Sequence, residues 1–358
     1  MDEKFKPNGL PALIGSLPLY DHEEAVKLVF KHTPEIPVWV QLPTYKQEGM
    51  IAQFLPGLPG LVTKDDRAFI DTANEKFDAD LLRFYEDYMA VEEGQTDLDH
   101  SRFVLKADTA GGFFALMKHL QTLSDPPKAV KGQITGPITF GLGVTDQNGK
   151  AIFYNEQLRD AAVKLLAKKA RWQVRKLSEF GRPVIIFFDE PALAGFGSSA
   201  MISISRDEVA KCFEEVIDAV HDEDGLAGVH VCANADWSLI LESDADIVSF
   251  DAYSFFDRLI LYQDLLKRFV TSGGILAWGI VPTLNADDIE KETTASLVAA
   301  WKDQAQAVEA LGIDKSAILA QTLITPSCGT GSLSLDLAKK VIILTREVSD
   351  IIRKNVAF

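Results

Sequence analysis

The sequence predicts an α/β fold, a single (β/α)8 TIM barrel spanning residues 1–358. Two observations predict it. Eight short apolar runs of strand type recur along the chain, most followed by an amphipathic helical pattern, and eight βα units in one chain close into a barrel. The runs are apolar on both faces, as suits parallel strands covered on either side. A doubly wound open sheet has the same alternation and is the competing arrangement.

The strands are taken in order. Residues 12–17 (ALIGSL), 38–42 (VWVQL) and 130–134 (VKGQI) supply the first three. The second half alternates more regularly, through 184–188 (VIIFF), 227–231 (AGVHV), 247–250 (IVSF), 275–279 (ILAWG) and 317–323 (AILAQTL). Helices are expected between them. At 157–180, Leu158, Ala162, Leu165 and Leu166 recur at helical spacing, and the opposite face (Lys164, Lys168, Lys169, Arg171, Arg175) reads as solvated. At 206–220, Ser205 precedes the helix and Glu208 follows three residues later, the pattern of a capping box. A last helix, 333–354, closes the chain. Residues 43–128 are too many for a βα loop, so they are expected to form an insertion after the second strand that caps one mouth of the barrel. It opens with the turn-rich LPGLPG at 55–60. A polar helix at 65–93, an extended piece at 102–106 and a helix around 113–123 follow.

Composition removes several classes of function. The chain carries 36 Lys and Arg against 52 Asp and Glu, a net charge of −16. Nucleic acids and anionic membranes need a basic footprint, so neither is an expected partner. Three cysteines make no disulfide framework and suit a reducing compartment. The start, MDEKFKPNGL, has no apolar signal core, and no window is apolar enough to span a bilayer, so a cytoplasmic enzyme is expected.

In a barrel, catalytic groups gather at the C-terminal ends of the strands. Those ends carry Ile14-Gly15-Ser16, Thr135-Gly136-Pro137, Asp189-Glu190-Pro191, His230-Val231-Cys232, Asp251 and Pro326-Ser327-Cys328-Gly329. His230 and Cys232 are two apart, which on a strand puts both on one face. Asp251 follows Cys232 by 19 residues at the next strand end, and Cys328 by 96. An imidazole, two thiolates and a carboxylate form a zinc-type set. The structural alternative is a hydrogen-bonded core histidine beside a buried thiol. Cys212 falls inside a helix and reads as a small buried apolar residue. The other histidines (His22, His32, His100, His119 and His221) fall in helices or polar turns. Trp278 reads as core, with stacking on a donor ring as its functional alternative. Ile14-Gly15-Ser16 would offer a backbone N–H and a hydroxyl to an anionic group.

Five motifs occur in a familiar order: IGS at 14–16, TGPITF at 135–140, DEPAL at 189–193, HVC at 230–232 and PSCG at 326–329. Together they resemble the catalytic C-terminal domain of cobalamin-independent methionine synthase, over nearly the whole chain. The resemblance implies a barrel of the uroporphyrinogen decarboxylase/methionine synthase type. It implies zinc held by His230, Cys232, Asp251 and Cys328, with Ser16 and Asp189 holding the amino-acid end of a homocysteine-like thiol. Two departures stand out. The third ligand in that family is usually Glu, where this chain has Asp251. The family's Glu just before the segment resembling MIAQF aligns with Lys46 or Gln47, with Glu48 nearby, and a lysine there would repel an ammonium and attract an anion. The chain has no room for the folate-binding half, and no histidine follows His230 to protonate a folate leaving group. A methylcorrinoid, on its own or carried by a partner protein, releases its methyl group without needing that proton and is the expected donor. The expected function is zinc-dependent methyl transfer to a thiol in methionine biosynthesis. A metal-free lyase of the decarboxylase type and a non-catalytic barrel binding a corrinoid or metal are the alternatives. Such a barrel can also pair with a second copy through its outer helices.

Overall fold

The computed structural model describes residues 5–65 and 67–355. Seven parallel strands form one curled sheet in the order β1-β9-β8-β7-β6-β5-β4, and a separate antiparallel hairpin pairs β2 with β3. The strands are β1 Leu10–Pro11, β2 Leu61–Lys64, β3 Arg67–Ile70, β4 Val130–Thr135, β5 Val184–Asp189, β6 Leu226–Val231, β7 Ile247–Phe250, β8 Ile275–Val281 and β9 Thr322–Pro326. The helices that matter for the site are α1 (His22–His32), α2 (Phe77–Glu92), α3 (Gly111–Leu120), α4 (Pro137–Gly143) and α5 (Glu156–Ser178). With them belong α6 (Arg206–His221), α7 (Ser238–Leu241) and α8 (Ala252–Leu259). No helix among the described residues is long and apolar enough to cross a membrane.

The expected second strand, 38–42, is not a continuous strand. It touches both edges of the curled sheet through isolated bridges, Val38 to Lys131 of β4 and Gln41 to Ser16 beyond β1. The Gln41 N–H donates to the Gly15 carbonyl at 3.1 Å and the Lys131 N–H to the Pro37 carbonyl at 2.9 Å. The first strand lies just before the expected 12–17, which carries only the isolated bridge at Ser16. It pairs only at Leu10–Pro11, through Leu10 with Leu323 and Pro11 with Ile324. The last strand is displaced from 317–323. Asp314 accepts hydrogen bonds from the Ser316 and Ala317 N–H groups and starts a helix, Lys315–Ala320, so the apolar AIL belongs to a helical turn and the strand begins at Thr322. The capping box is present: Ser205 and Glu208 satisfy one another's backbone at the start of α6.

Alternate residues of the strands point to the concave face of the curled sheet, where Leu10, Ile14, Ile185, Phe187, Ile247 and Leu323 form an apolar inner cluster. The outer faces pack under the helices in the large core. The insertion differs from expectation. Leu61–Lys64 and Arg67–Ile70 pair as the antiparallel β2–β3 hairpin, and the helix begins only at Phe77. Residues 102–106 form no strand. The hairpin and α2 and α3 do not roof the mouth. Tyr85 of α2 bonds Asp160 of α5 at 2.8 Å, and Phe113 of α3 packs on Trp172 of α5 with centroids 5.0 Å apart. Only Pro43, Glu48 and Met50 of the insertion reach the cavity described below.

The basic face of α5 is also not solvated. Lys168 and Lys169 are buried, Lys168 pairs with Glu92, and the Arg171 and Arg175 guanidinium groups both reach Glu223 at 2.7 Å. Acidic residues of α2 and of the turn after α6 cover this face, so the pattern that read as solvent-exposed is an ion-paired seam.

Candidate active site and metal centre

A cavity of about 260 Å3 opens at the C-terminal ends of the strands. Ile14, Ser16, Gln41, Asp189, His230, Cys232 and Cys328 line it, together with Glu48 and Met50 of the insertion and the loop glycines Gly329 and Gly331. Parallel register explains the convergence. Thr135 pairs with Asp189 and Asp189 with His230, so side chains at the same height on β4, β5 and β6 stand side by side.

His230, Cys232 and Cys328 bring one ligand atom each within 4.8 Å of one another. His230 is the penultimate residue of β6 and is buried, its ring stacked on Phe187 with centroids 6.5 Å apart and planes 11° apart. Its Nδ1 lies 2.9 Å from Ser249 Oγ, while Nε2 is buried with no partner. An imidazole fixed through one nitrogen, with the other aimed at two thiols, suits a soft or borderline cation such as zinc. The two thiols lie close enough to act on one another. The Cys328 thiol donates to Cys232, and this bond, with His230 alongside, brings Cys232 down to about 4 and drives Cys328 up.

Cys328 reaches this place because its loop threads close to Ser16. A Cβ at Gly329 would lie 2.2 Å from Ser16 Oγ. Ser16 ties the loop down: its carbonyl accepts from Thr330 N–H at 3.0 Å and its hydroxyl oxygen from Gly331 N–H at 3.2 Å. Gly15 does not line the cavity. It packs on the Gln133 side chain, which a Cβ would approach to 3.0 Å.

Asp251 is fully buried but lies outside the cluster. Its Oδ1 accepts from Ser254 N–H at 2.8 Å and caps α8, while Oδ2 has no partner. Burial raises its pKa, and Cys232 adds to the rise. Lys46 is exposed and does not line the cavity. Glu48, two residues on, takes that place, and its carboxylate accepts from Leu42 N–H at 2.9 Å and lies 2.7 Å from His22 Nε2. The family resemblance pointed to Lys46 or Gln47, but the short 3-10 turn at Lys46–Glu48 brings Glu48 inward instead, and turn geometry is not visible in residue order.

Beneath the cavity lies a residue that the sequence reading passed over. Lys131, on β4, points into the barrel and is fully buried. Its Nζ donates to the Ile14 carbonyl at 2.6 Å and sits 4.2 Å from the centre of the Phe187 ring. Burial pushes it down to about 7, against the pull of Asp189. Asp189 is raised to about 6 by burial, with His230 and Lys131 opposing, and its Oδ1 has no partner. Glu190, by contrast, is satisfied: it accepts from Ile138 N–H, Thr139 N–H and the Thr139 hydroxyl, and locks the start of α4. Cys212 and Trp278 are buried, in line with their core readings.

A solved methyltransferase from Methanosarcina mazei matches at 14% identity, over 70% of this chain and 68% of its own, with a TM-score of 0.42. No protein-family model and no curated protein matches the sequence.

Proposed function

We propose that the cavity is the acceptor site of a zinc-dependent thiol methyltransferase. The observation that carries this reading is the convergence of the unpartnered His230 Nε2 with the thiols of Cys232 and Cys328 in the wall of a small cavity. These three would hold the ion, leaving room at a tetrahedral centre for one further ligand. Zinc bound there supplies Lewis acidity that lowers a thiol's pKa, so that an acceptor sulfur is a nucleophilic thiolate near neutral pH. Asp251 keeps to capping α8 on this reading.

The protein's part is to orient the acceptor. Glu48 and Asp189 line the cavity, and no lysine or arginine does. That polarity favours a thiol with a cationic end, such as the ammonium of a homocysteine-like amino acid, over a sulfonate or polycarboxylate. The same lining disfavours a decarboxylase, which needs cations for its carboxylates. The Ser16 hydroxyl and the floor of Ile14, set by Lys131, complete the acceptor's surroundings. In the transfer, a sulfur–carbon bond forms as the donor's bond to the methyl carbon breaks. A cavity of about 260 Å3 holds the acceptor and no large donor, so the donor meets it at the mouth. No histidine besides His230 lines the cavity to protonate a nitrogen leaving group, which favours a methylcorrinoid, free or on a partner protein. We read the bridged segment at 38–41 as the remaining stave of an eight-unit barrel. A place in methionine formation follows if the acceptor is homocysteine.

Methylcobalamin turnover with a panel of thiols (homocysteine, its des-amino analogue and a sulfonate thiol) tests this. Methylation of homocysteine, lost in Cys328→Ser, is expected. Protein that binds zinc but transfers no methyl group to any thiol overturns it.

A further inference from the structure

Glu48 is held from outside the cavity. Its Oε1 lies 2.7 Å from Nε2 of His22, the first residue of α1, and a carboxylate only accepts, so His22 Nε2 carries the proton of this bond. The imidazole is clamped on two sides. One face stacks on Tyr45, with centroids 5.8 Å and planes 15° apart, and the Tyr45 hydroxyl is itself fixed on the Tyr20 carbonyl at 2.6 Å. Against the ring lies Gly111 at the start of α3, where a Cβ would come within 2.7 Å of the His22 Cε1 and 2.9 Å of Nε2. Glu48 therefore has one oxygen on backbone and the other on a side chain whose position three separate segments fix.

We propose that His22 is a positioning residue that sets Glu48 as the receptor for the cationic end of the acceptor, and that Gly111 is the space which makes this possible. The inference rests on reading the cavity as a thiol-acceptor site. Without the His22 N–H, the Glu48 side chain loses one of its two named anchors, and a buried carboxylate with an open oxygen turns toward whatever donor it can reach. Discrimination between thiols with and without an ammonium group falls accordingly.

Two measurements test it. In wild type, 15N spectra of the imidazoles place a proton on His22 Nε2, and Glu48→Gln shifts that signal; a His22 signal indifferent to Glu48→Gln overturns the clamp whatever the ligand. In zinc-loaded protein, calorimetry compares homocysteine with its des-amino analogue. His22→Ala weakens homocysteine binding by roughly 10–100-fold, the range for a hydrogen bond to a charged group, and leaves the des-amino thiol and the zinc content unchanged. His22→Gln, which keeps a donor at similar reach, restores most of the loss, and Gly111→Ala weakens homocysteine in the same selective sense as His22→Ala. Equal loss for both thiols, or no loss for either, overturns the inference. Failure of wild type to bind any thiol overturns the acceptor reading, which is separable from the His22 spectrum.

Discussion

On the proposed function the two thiols and the imidazole carry most of the site's chemistry, and their variants separate ligand from neighbour. Cys328→Ser should lower zinc affinity by more than the roughly 10–100-fold typical of changes behind the ligands, while Asp251→Asn, which keeps the cap on Ser254, should leave zinc stoichiometric. Metal analysis after dialysis against a weak chelator reads both; zinc lost from Asp251→Asn would make that carboxylate a ligand. Lys169 makes a second test at this scale. It is buried on α5 with its Nζ on the Val104 carbonyl at 3.2 Å, and burial pushes it down to about 7 from an ordinary 10.5. Between those values the unfolded chain binds more protons than the folded one, so stability rises with pH across the window. Lys169→Met should remove that slope and stabilise the protein by about 1–3 kcal/mol at neutral pH and below, read by urea unfolding at about pH 6 and about pH 9. The convergence of His230, Cys232 and Cys328 was legible because strand spacing and strand ends set their facing. Lys131, Lys169 and His22 were not, because a residue's burial depends on which distant segment covers it.

Elements came through in proportion to their contacts along the chain. The α6 capping box and the runs at β5 to β8 are local patterns, and residue order carries local patterns well. The segment at 38–41 and the two-residue β1 take their form from both sheet edges at once, so their apolar runs predicted more strand than exists. The acidic partners of α5 come from α2 and from residues 222–223, far away in sequence, which is why its basic face looked solvated. One junction is testable. Glu190 reaches the N–H groups of α4 across Gly136, where a Cβ would lie 2.3 Å from the carboxyl carbon. The Gly136 N–H is fixed on the Asp189 carbonyl at 2.9 Å, so the backbone has little freedom to withdraw. Gly136→Ala should cost about 1–3 kcal/mol by overpacking, seen as a lower urea midpoint at unchanged slope.

At the scale of the whole molecule, the proposed ligands join distant parts of the chain: Cys232 follows β6 and Cys328 follows β9, on strands separated by β7 and β8. An ion held there binds the folded state alone. Zinc at 100 times its dissociation constant then adds about 2.7 kcal/mol, and scanning calorimetry should place the loaded protein about 4 °C or more above the stripped one. No such shift would remove the site as a strong metal centre. Below that site Phe187, Ile185 and Ile247 pack in the inner apolar cluster, with Lys131 over the Phe187 ring. On the proposed function, a small cavity reached from its mouth imposes a queue. On that reading the small acceptor enters first and lies deepest, the bulky donor arrives over it, and the spent donor leaves before the methylated product can. Steady-state rates should therefore follow an ordered scheme in which excess donor blocks the empty chamber, a signature that inhibition patterns alone can read.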